Sequence, residues 1–251
     1  MIERIFDPEP LSEQLAERVE PDQLDWLEDA AREVALDPGA IRTRFPAVGR
    51  AVGRQPLDPE ASPEDVHAWT VDDAARTLLL AELGSVAEEE LGDLYRHGDT
   101  AERRGVLRAL PYLPLGSRAV ALVDDAIRTN DTRLIAAALG PYASAHLDEA
   151  AYNQAVLKCV FSGIPIAPLD GLPRRATPEL ARMLAAFTHE RVAAGRDVPA
   201  DVWDVIDRHP PEAELLAIEA ELRSPHEDRR LAAERALRHR SLTPSPNTEA
   251  A

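Results

Sequence analysis

The sequence predicts an all-α fold, an irregular stack of helical hairpins of the HEAT-like α-solenoid type, and three observations lead to this prediction. Aromatic residues make up only 4% of the 251 residues and apolar residues 45%, with alanine and leucine prominent among them, which suits close helix packing better than a sheet. Apolar residues recur at helical spacing behind repeated helix-start signals, and strict two-residue alternation is not sustained anywhere. An irregular α-bundle is the alternative arrangement.

Helix starts are predicted from capping boxes, in which a polar side chain and an acid three residues later satisfy free backbone N–H groups. Thr177 followed by Pro178 is a further start, because proline is tolerated at the first helical position. The boxes are Thr70 with Asp73, Ser85 with Glu88, Asp99 with Glu102 and Ser224 with Glu227.

The helices pair into hairpins whose starts recur along the chain. Successive starts lie 29, 32, 46 and 34 residues apart, and three of these intervals fit a repeat of two helices that buries its apolar face by stacking. The predicted starts are near Thr70, Asp99, Asp131, Thr177 and Pro211.

The long interval contains a proline-rich passage, FSGIPIAPLDGLPRRATPEL, from Phe161 to Leu180. Pro165, Pro168 and Pro173, with Gly163 and Gly171, predict about fifteen residues without helix. Insertions in a stacked-hairpin protein collect on one face, often the face that binds. The passage is therefore the first candidate for a binding surface.

The segment ahead of the hairpins is predicted to hold two helices between Glu9 and Ala35. Residues 36–57 follow, where glycines and prolines predict a broken chain, and Asp58 to His67 reads as a linker. One helical domain is predicted over residues 1–242, with N-terminal helices and linker over 1–69 and hairpins over 70–242. The tail 243–251, TPSPNTEAA, is predicted to be disordered.

Charge and cysteine content narrow the possible functions. The net charge of −17 would repel a phosphate backbone, so nucleic acid is not an expected partner. Cys159 is the only cysteine, which is consistent with a reducing compartment.

The N-terminus lacks the pattern of a secretory signal, and the uncharged run Leu134 to Leu147 is too short to cross a bilayer. We expect a cytoplasmic protein.

No catalytic or metal-binding motif is complete. His189-Glu190 begins a zincin-like HExxH motif, but its last position is Ala193, so a metal ligand is missing. Cys159 lies among apolar residues, and a packed thiol is the better interpretation than a nucleophile. The chain also lacks GxSxG, GxGxxG and GxxxxGK[ST]. We predict no catalytic residue, no metal site and no cofactor.

Arginines mark two candidate binding segments. Five arginines lie between Asp170 and Arg196, against three acids, which gives a local positive charge in an acidic chain. Next to an apolar loop, such arginines could bind an anionic ligand with an apolar body. Alternatively, the loop fills a groove between hairpins and its arginines pair with nearby acids. The predicted ligand- or partner-binding residues are Asp170, Arg174 and Arg175, with Arg44, Arg50 and Arg54 in the second segment.

Three stretches resemble the EboA family of metabolite-traffic proteins: FPAVGRAVGR from Phe45, WTVDDAARTLLL from Trp69, and Lys158 to Trp203. The resemblance extends from about Leu36 to Trp203 and is strongest around Asp170 to Arg175. It implies a cytoplasmic helical protein encoded beside a membrane prenyltransferase, an amidohydrolase-like metal-dependent hydrolase and a sugar-phosphate-isomerase-like protein. The resemblance carries no catalytic residue over to this chain.

Two hypotheses of function follow from these observations. The first is a non-catalytic binding or scaffold protein that assists the movement of a secondary-metabolite precursor from the cytoplasm toward the periplasm or envelope. The alternative is an enzyme acting on a small apolar or prenylated intermediate of the same pathway. The expected partners are proteins of the same gene cluster, with a small metabolite and a transiently bound membrane protein as further candidates.

Overall fold

Each predicted hairpin start lies immediately before a helix in the computed structural model, which describes residues 4–242. Thr70 and Asp99 form complete capping boxes with Asp73 and Glu102. Thr177 accepts a hydrogen bond from the N–H of Leu180. The prediction of an all-α fold is confirmed: the described residues contain fifteen α-helices and no strand, with one isolated antiparallel bridge between Pro56 and Thr70.

The helices belong to two compact units, which divide after Leu147. The first unit contains α1 (Glu9–Ala16), α2 (Pro21–Leu36), α3 (Ile41–Ala51), α4 (Val71–Ala81), α5 (Ala87–His97), α6 (Thr100–Ala109), α7 (Val120–Arg128), α8 (Thr132–Ala138) and α9 (Pro141–His146). The second contains α10 (Glu149–Phe161), α11 (Leu172–Arg175), α12 (Pro178–Ala193), α13 (Trp203–Ile206), α14 (Glu212–Ala220) and α15 (Glu227–Leu242).

The broken chain predicted over residues 36–57 is wrong in its middle part, where α3 forms. This helix contains Pro46 inside it. Its residues Ile41, Phe45 and Val48 are fully buried and recur at helical spacing on one face. Burial of this apolar face outweighs the unfavourable helix propensity of proline and glycine, because tertiary packing routinely overrides propensity.

Two predicted starts are displaced, and the proline-rich passage is partly helical. A 3-10 turn over Gly84–Val86 precedes α5, which begins at Ala87, and α15 begins at Glu227 rather than directly after Ser224. Within the passage predicted to be non-helical, Leu172–Arg175 forms the four-residue helix α11 with Pro173 in its first turn. Proline is tolerated there because the N–H it lacks has no partner within a helix.

Helix α4 is the centre of the first unit. It packs against α1, α2, α3 and α6, and nine of its eleven residues are buried, charged residues included. A helix buried on nearly all sides is typical of the core of a larger unit rather than of its surface. The charged residues of α4 therefore need partners inside the protein.

Helix α12 has the same central position in the second unit, where it packs against α10, α13, α14 and α15. Leu180, Leu184 and Val192 are fully buried on it. Trp203, at the start of α13, is also fully buried. These residues form the apolar core against which the proline-rich passage is anchored.

Other architectural predictions are not decided by the structure. Helix α6 packs against both α4 and α8, but the HEAT-like repeat and the single domain over residues 1–242 stay predictions. The tail 243–251, predicted to be disordered, lies outside the described residues. No helix in the range 4–242 combines the length and apolar character needed to cross a membrane.

Candidate functional site

The 162–171 loop is anchored to the end of α10. Gly163 adopts a positive φ of 73°, a conformation that glycine allows without steric cost. The N–H of Ile164 then donates to the carbonyl of Cys159 at 2.9 Å. The side chains of Ile164, Ile166 and Leu169 are buried, so the apolar half of the loop belongs to the core of the second unit.

Two polar contacts hold the rest of the loop. The carboxylate of Asp201 accepts hydrogen bonds from the N–H groups of Ile166 and Ala167 at 2.6 and 3.2 Å. The hydroxyl of Tyr152 donates to the carbonyl of Asp170 at 3.0 Å. Burial raises the pKa of Tyr152 to about 12, so this phenol keeps its proton at neutral pH. The loop is therefore fixed from within.

The two neighbouring arginines of this passage have different environments. Arg175 stacks on Tyr152, with its guanidinium carbon 4.1 Å from the ring centroid, and donates to the carbonyl of Asp148 at 3.1 Å. Arg174 has 76% of its side chain exposed and lies 3.6 Å from the carboxylate of Asp170. Arg175 thus stabilises the passage, whereas Arg174 presents a charge to solvent.

Several apolar residues between Phe161 and Arg174 are exposed as well. Phe161 is 74% exposed even though its ring lies 5.7 Å from that of Phe187. Ala167, Pro168 and Pro173 are also exposed. We use the term loop surface for Phe161, Ala167, Pro168, Pro173 and Arg174. This set combines apolar groups with one cation on a backbone that is already ordered.

The catalytic candidates of this region are in settings that do not favour reaction. Cys159 is fully buried, and burial raises the pKa of its thiol to about 12, with a smaller contribution from the charge of Asp201. His189 lies 3.6 Å from Glu221 on a partly exposed helix face. In the described part of the chain, no group of three or more His, Cys, Asp or Glu side chains is arranged to hold a metal ion.

The arginines of the second predicted segment do not share one partner. Arg44 pairs with Glu33 of α2, and Arg50 is exposed at the end of α3. Arg54 lies 4.0 Å from Asp72 of α4. Of these three residues, only Arg54 contacts the buried charges of the first unit.

Sequence reasoning missed a buried cluster of charged residues on α4 and α6. Its members are Asp72, Asp73, Arg76, Arg104 and Arg108, none of which is more than 7% exposed. Three arginines therefore face two aspartates away from solvent. We call this group the arginine–aspartate cluster.

The aspartates are the shared acceptors of the cluster. Asp73 accepts from Nε of Arg104 at 2.9 Å through both of its carboxylate oxygens, and Oδ2 of Asp73 lies 3.2 Å from Nη1 of Arg108. Asp72 accepts from Nη1 of Arg76, four residues further along α4. Arg104 also donates to the hydroxyl of Thr70 at 3.0 Å.

Arg76 and Arg108 each keep two buried nitrogens without a hydrogen-bond partner, and of the two it is Arg108 that lines a cavity. Nη2 of Arg108 donates to the carbonyls of His67 and Ala68 at 3.2 and 2.7 Å, and its guanidinium lies 4.9 Å from the ring centroid of Trp69. Its Nε and Nη1 are buried without a hydrogen-bond partner, so the contact with Asp73 is one of charge only. Burial lowers the pKa of Arg108 to about 10, which leaves it protonated at pH 7.

A glycine on α6 makes room for the cluster. A Cβ at Gly105 would lie 2.7 Å from Cδ and 3.1 Å from Cβ of Arg76. Such distances are shorter than ordinary van der Waals contact, so α4 and α6 approach closely only because residue 105 lacks a side chain. A glycine between two arginines four residues apart was the sequence signal that could have indicated this packing.

The fold defines an all-α protein whose described residues show one exposed loop surface and one buried arginine–aspartate cluster. The model of the family described as "Metabolite traffic protein EboA" matches residues 8–207. The chain therefore belongs to the EboA family, and the match covers both regions. No curated protein and no solved structure shows significant similarity to the chain.

Proposed function

We propose that this protein is a non-catalytic binding or scaffold protein that assists the movement of a secondary-metabolite precursor from the cytoplasm toward the periplasm or envelope. Its family is described by metabolite traffic, which supports the general role. The direction of movement follows from the resemblance of the sequence to that family.

One observation carries the scaffold role: the loop surface is apolar and cationic, yet its backbone is fixed by internal contacts. Asp201 and Tyr152 hold the loop in place. Phe161 is 74% exposed, and the side chain of Arg174 is 76% exposed. An ordered surface loses little conformational entropy on binding. Aromatic residues and arginine are also the residues enriched in protein interfaces.

The favoured occupant of the loop surface is a protein from the same gene cluster. Arg174 favours an acidic group on that partner, because Arg174 is only loosely paired with Asp170 at 3.6 Å. The exposed prolines and Phe161 favour additional apolar contacts with the same partner. Small-molecule ligands, by contrast, are usually enclosed on several sides by a cleft.

The experiment is co-purification of the tagged full-length protein with the other proteins of its gene cluster, followed by affinity measurement on any pair captured. Phe161→Asp and Arg174→Ala should each weaken capture at least about tenfold, as central interface residues do. Both side chains are exposed, so the variants should fold normally.

Two matched controls lie in the same unit. Leu216→Asp changes another apolar residue, 65% exposed on α14, and Arg182→Ala removes another exposed arginine, which pairs with Glu179. Neither control should change capture. Loss of capture in Leu216→Asp with normal capture in Phe161→Asp would move the binding surface to α14 and refute the role of the loop.

A further inference from the structure

The arginine–aspartate cluster has an uncompensated positive charge. Three arginines and two aspartates are buried together, and arginine keeps its proton in proteins. A buried charge without a partner is unfavourable, since the low-dielectric interior does not replace its hydration. The excess positive charge therefore favours an anion next to the cluster.

A small cavity lies against this cluster in the first unit. Its volume is about 40 Å³, and both Arg104 and Arg108 line it. Arg133 also lines the cavity and is an exposed residue. Its Nη2 donates to the carbonyl of Pro63 at 3.1 Å. Asp65 is the only acid among the lining residues, and Asp73 contacts Arg104 and Arg108, so the three cations are only partly neutralised by these two acids.

The remaining walls are mainly apolar or hydroxylic. Trp69, Pro56 and Val66 are among the lining residues, together with Thr70. The volume is larger than the roughly 10–15 Å³ that one water molecule needs, but it is far below the several hundred Å³ of a typical ligand pocket. The cavity therefore suits a compact charged head group rather than a whole metabolite.

We propose that this cavity, bounded by Arg104, Arg108, Arg133 and Trp69, binds the oxyanion head group of a ligand, a carboxylate or a phosphate. Guanidinium groups bind planar carboxylates and phosphates through paired N–H donors. Nε and Nη1 of Arg108 have no hydrogen-bond partner but are themselves buried, so Arg108 contributes positive charge to the cavity rather than free donors. The carbonyls of His67 and Ala68 hold its guanidinium in place.

The inference rests on the proposed function only in identifying the ligand as the metabolite that the protein moves. Oxyanion binding itself depends on residues of the first unit, whereas partner capture depends on the loop surface of the second. Binding of an oxyanion can be measured on the purified protein alone, without any partner. Failure of one proposal is therefore distinguishable from failure of the other.

The test is calorimetric titration of the full-length protein with inorganic phosphate and, separately, with acetate, at constant ionic strength set by chloride. We expect saturable binding at one site for at least one of the two oxyanions. A response to phosphate alone assigns the head group to phosphate, and a response to acetate assigns it to a carboxylate. The bound oxyanion should also raise the urea midpoint of unfolding, because it binds the folded state.

Arg133→Ala is the informative variant, because Arg133 is exposed and its removal leaves the buried cluster intact. It should weaken oxyanion binding roughly tenfold, the effect of losing one hydrogen bond to a charged group. Arg96→Ala is the matched control: Arg96 is an exposed arginine of the same unit, paired with Asp93. This control should bind as the wild type does.

Two results would overturn the proposal. One is the absence of saturable phosphate or acetate binding into the millimolar range, which would leave the cluster as a purely structural network. The other is equal weakening in Arg133→Ala and Arg96→Ala, which would show a general effect of surface charge rather than a site. Rescue of binding in Arg133→Lys would support the role of positive charge at this position.

Discussion

The arginine–aspartate cluster and the loop surface use the same residue type in opposite ways. In the cluster, Arg76, Arg104 and Arg108 are buried and depend on Asp72 and Asp73. At the loop surface, Arg174 is largely exposed and only loosely paired with Asp170. An arginine count alone therefore does not locate a binding surface, since burial and partners decide what each guanidinium does.

Replacing the shared acceptor of the cluster should give the largest effect on stability. Asp73→Asn removes the charge that faces Arg104 and Arg108, so two buried guanidinium groups lose their closest anion. Breaking a buried ion pair by removing one partner costs about 3–5 kcal/mol. We expect the free energy of unfolding, measured with urea, to fall by about this amount.

Asp93→Asn is the control for this substitution. Asp93 pairs with Arg96 on α5, where both side chains are more than half exposed, and exposed pairs contribute roughly 0–1 kcal/mol. Equal effects of Asp73→Asn and Asp93→Asn would mean that burial does not distinguish the cluster from an ordinary surface pair.

The next largest loss of stability is expected from Gly105→Ala, because α4 and α6 approach closely at this glycine. Gly105→Ala would place a Cβ 2.7 Å from Cδ of Arg76, and Arg76 is fully buried and cannot move aside. Overpacking of this kind costs about 1–3 kcal/mol, part of which the better helix propensity of alanine offsets. Urea unfolding should show a net loss of stability.

Gly92→Ala tests whether this loss comes from packing. Gly92 lies in α5, and its added Cβ would be 3.4 Å from the flexible end of Arg96, which can move. Alanine should therefore stabilise this helix by up to about 1 kcal/mol. If both glycine variants change stability in the same direction, crowding against Arg76 is not the cause.

The sequence predicted the helix starts better than the residues between them. Thr70, Asp99 and Thr177 cap helices as expected, because capping is a local interaction between a side chain and nearby N–H groups. Helix α3 was missed because Pro46 and Gly49 lower helix propensity locally. Burial of Phe45, which favours the helix, depends on residues distant in the sequence.

The candidate site also has one part that could be predicted from the sequence and one part that could not. The loop over residues 162–171 was predictable, since prolines and glycines restrict the backbone wherever they occur, whereas the short helix α11 within the same passage was not predicted. The cluster was not, because charged residues at helical spacing are usually solvated, and Asp73 and Arg104 are 31 residues apart. Arg104 and Arg108 do lie on one face of α6 with Gly105 between them, and a pair of like charges there indicates an anionic neighbour.

The smallest expected change in the free energy of unfolding concerns the two neighbouring arginines of the proline-rich passage, Arg174 and Arg175. Arg175→Ala removes the contact with the Tyr152 ring and the hydrogen bond to the carbonyl of Asp148, which should cost about 1 kcal/mol. Arg174→Ala removes an exposed side chain and should change the free energy of unfolding by less than about 0.5 kcal/mol. Urea unfolding of both variants, combined with the measurement of partner capture, tests this difference.

If Arg174→Ala destabilises the protein as much as Arg175→Ala, then Arg174 has a structural role and the contrast with the buried cluster fails. If only Arg175→Ala destabilises the protein while Arg174→Ala alone abolishes capture, the exposed cation is the part of the passage that recognises a partner.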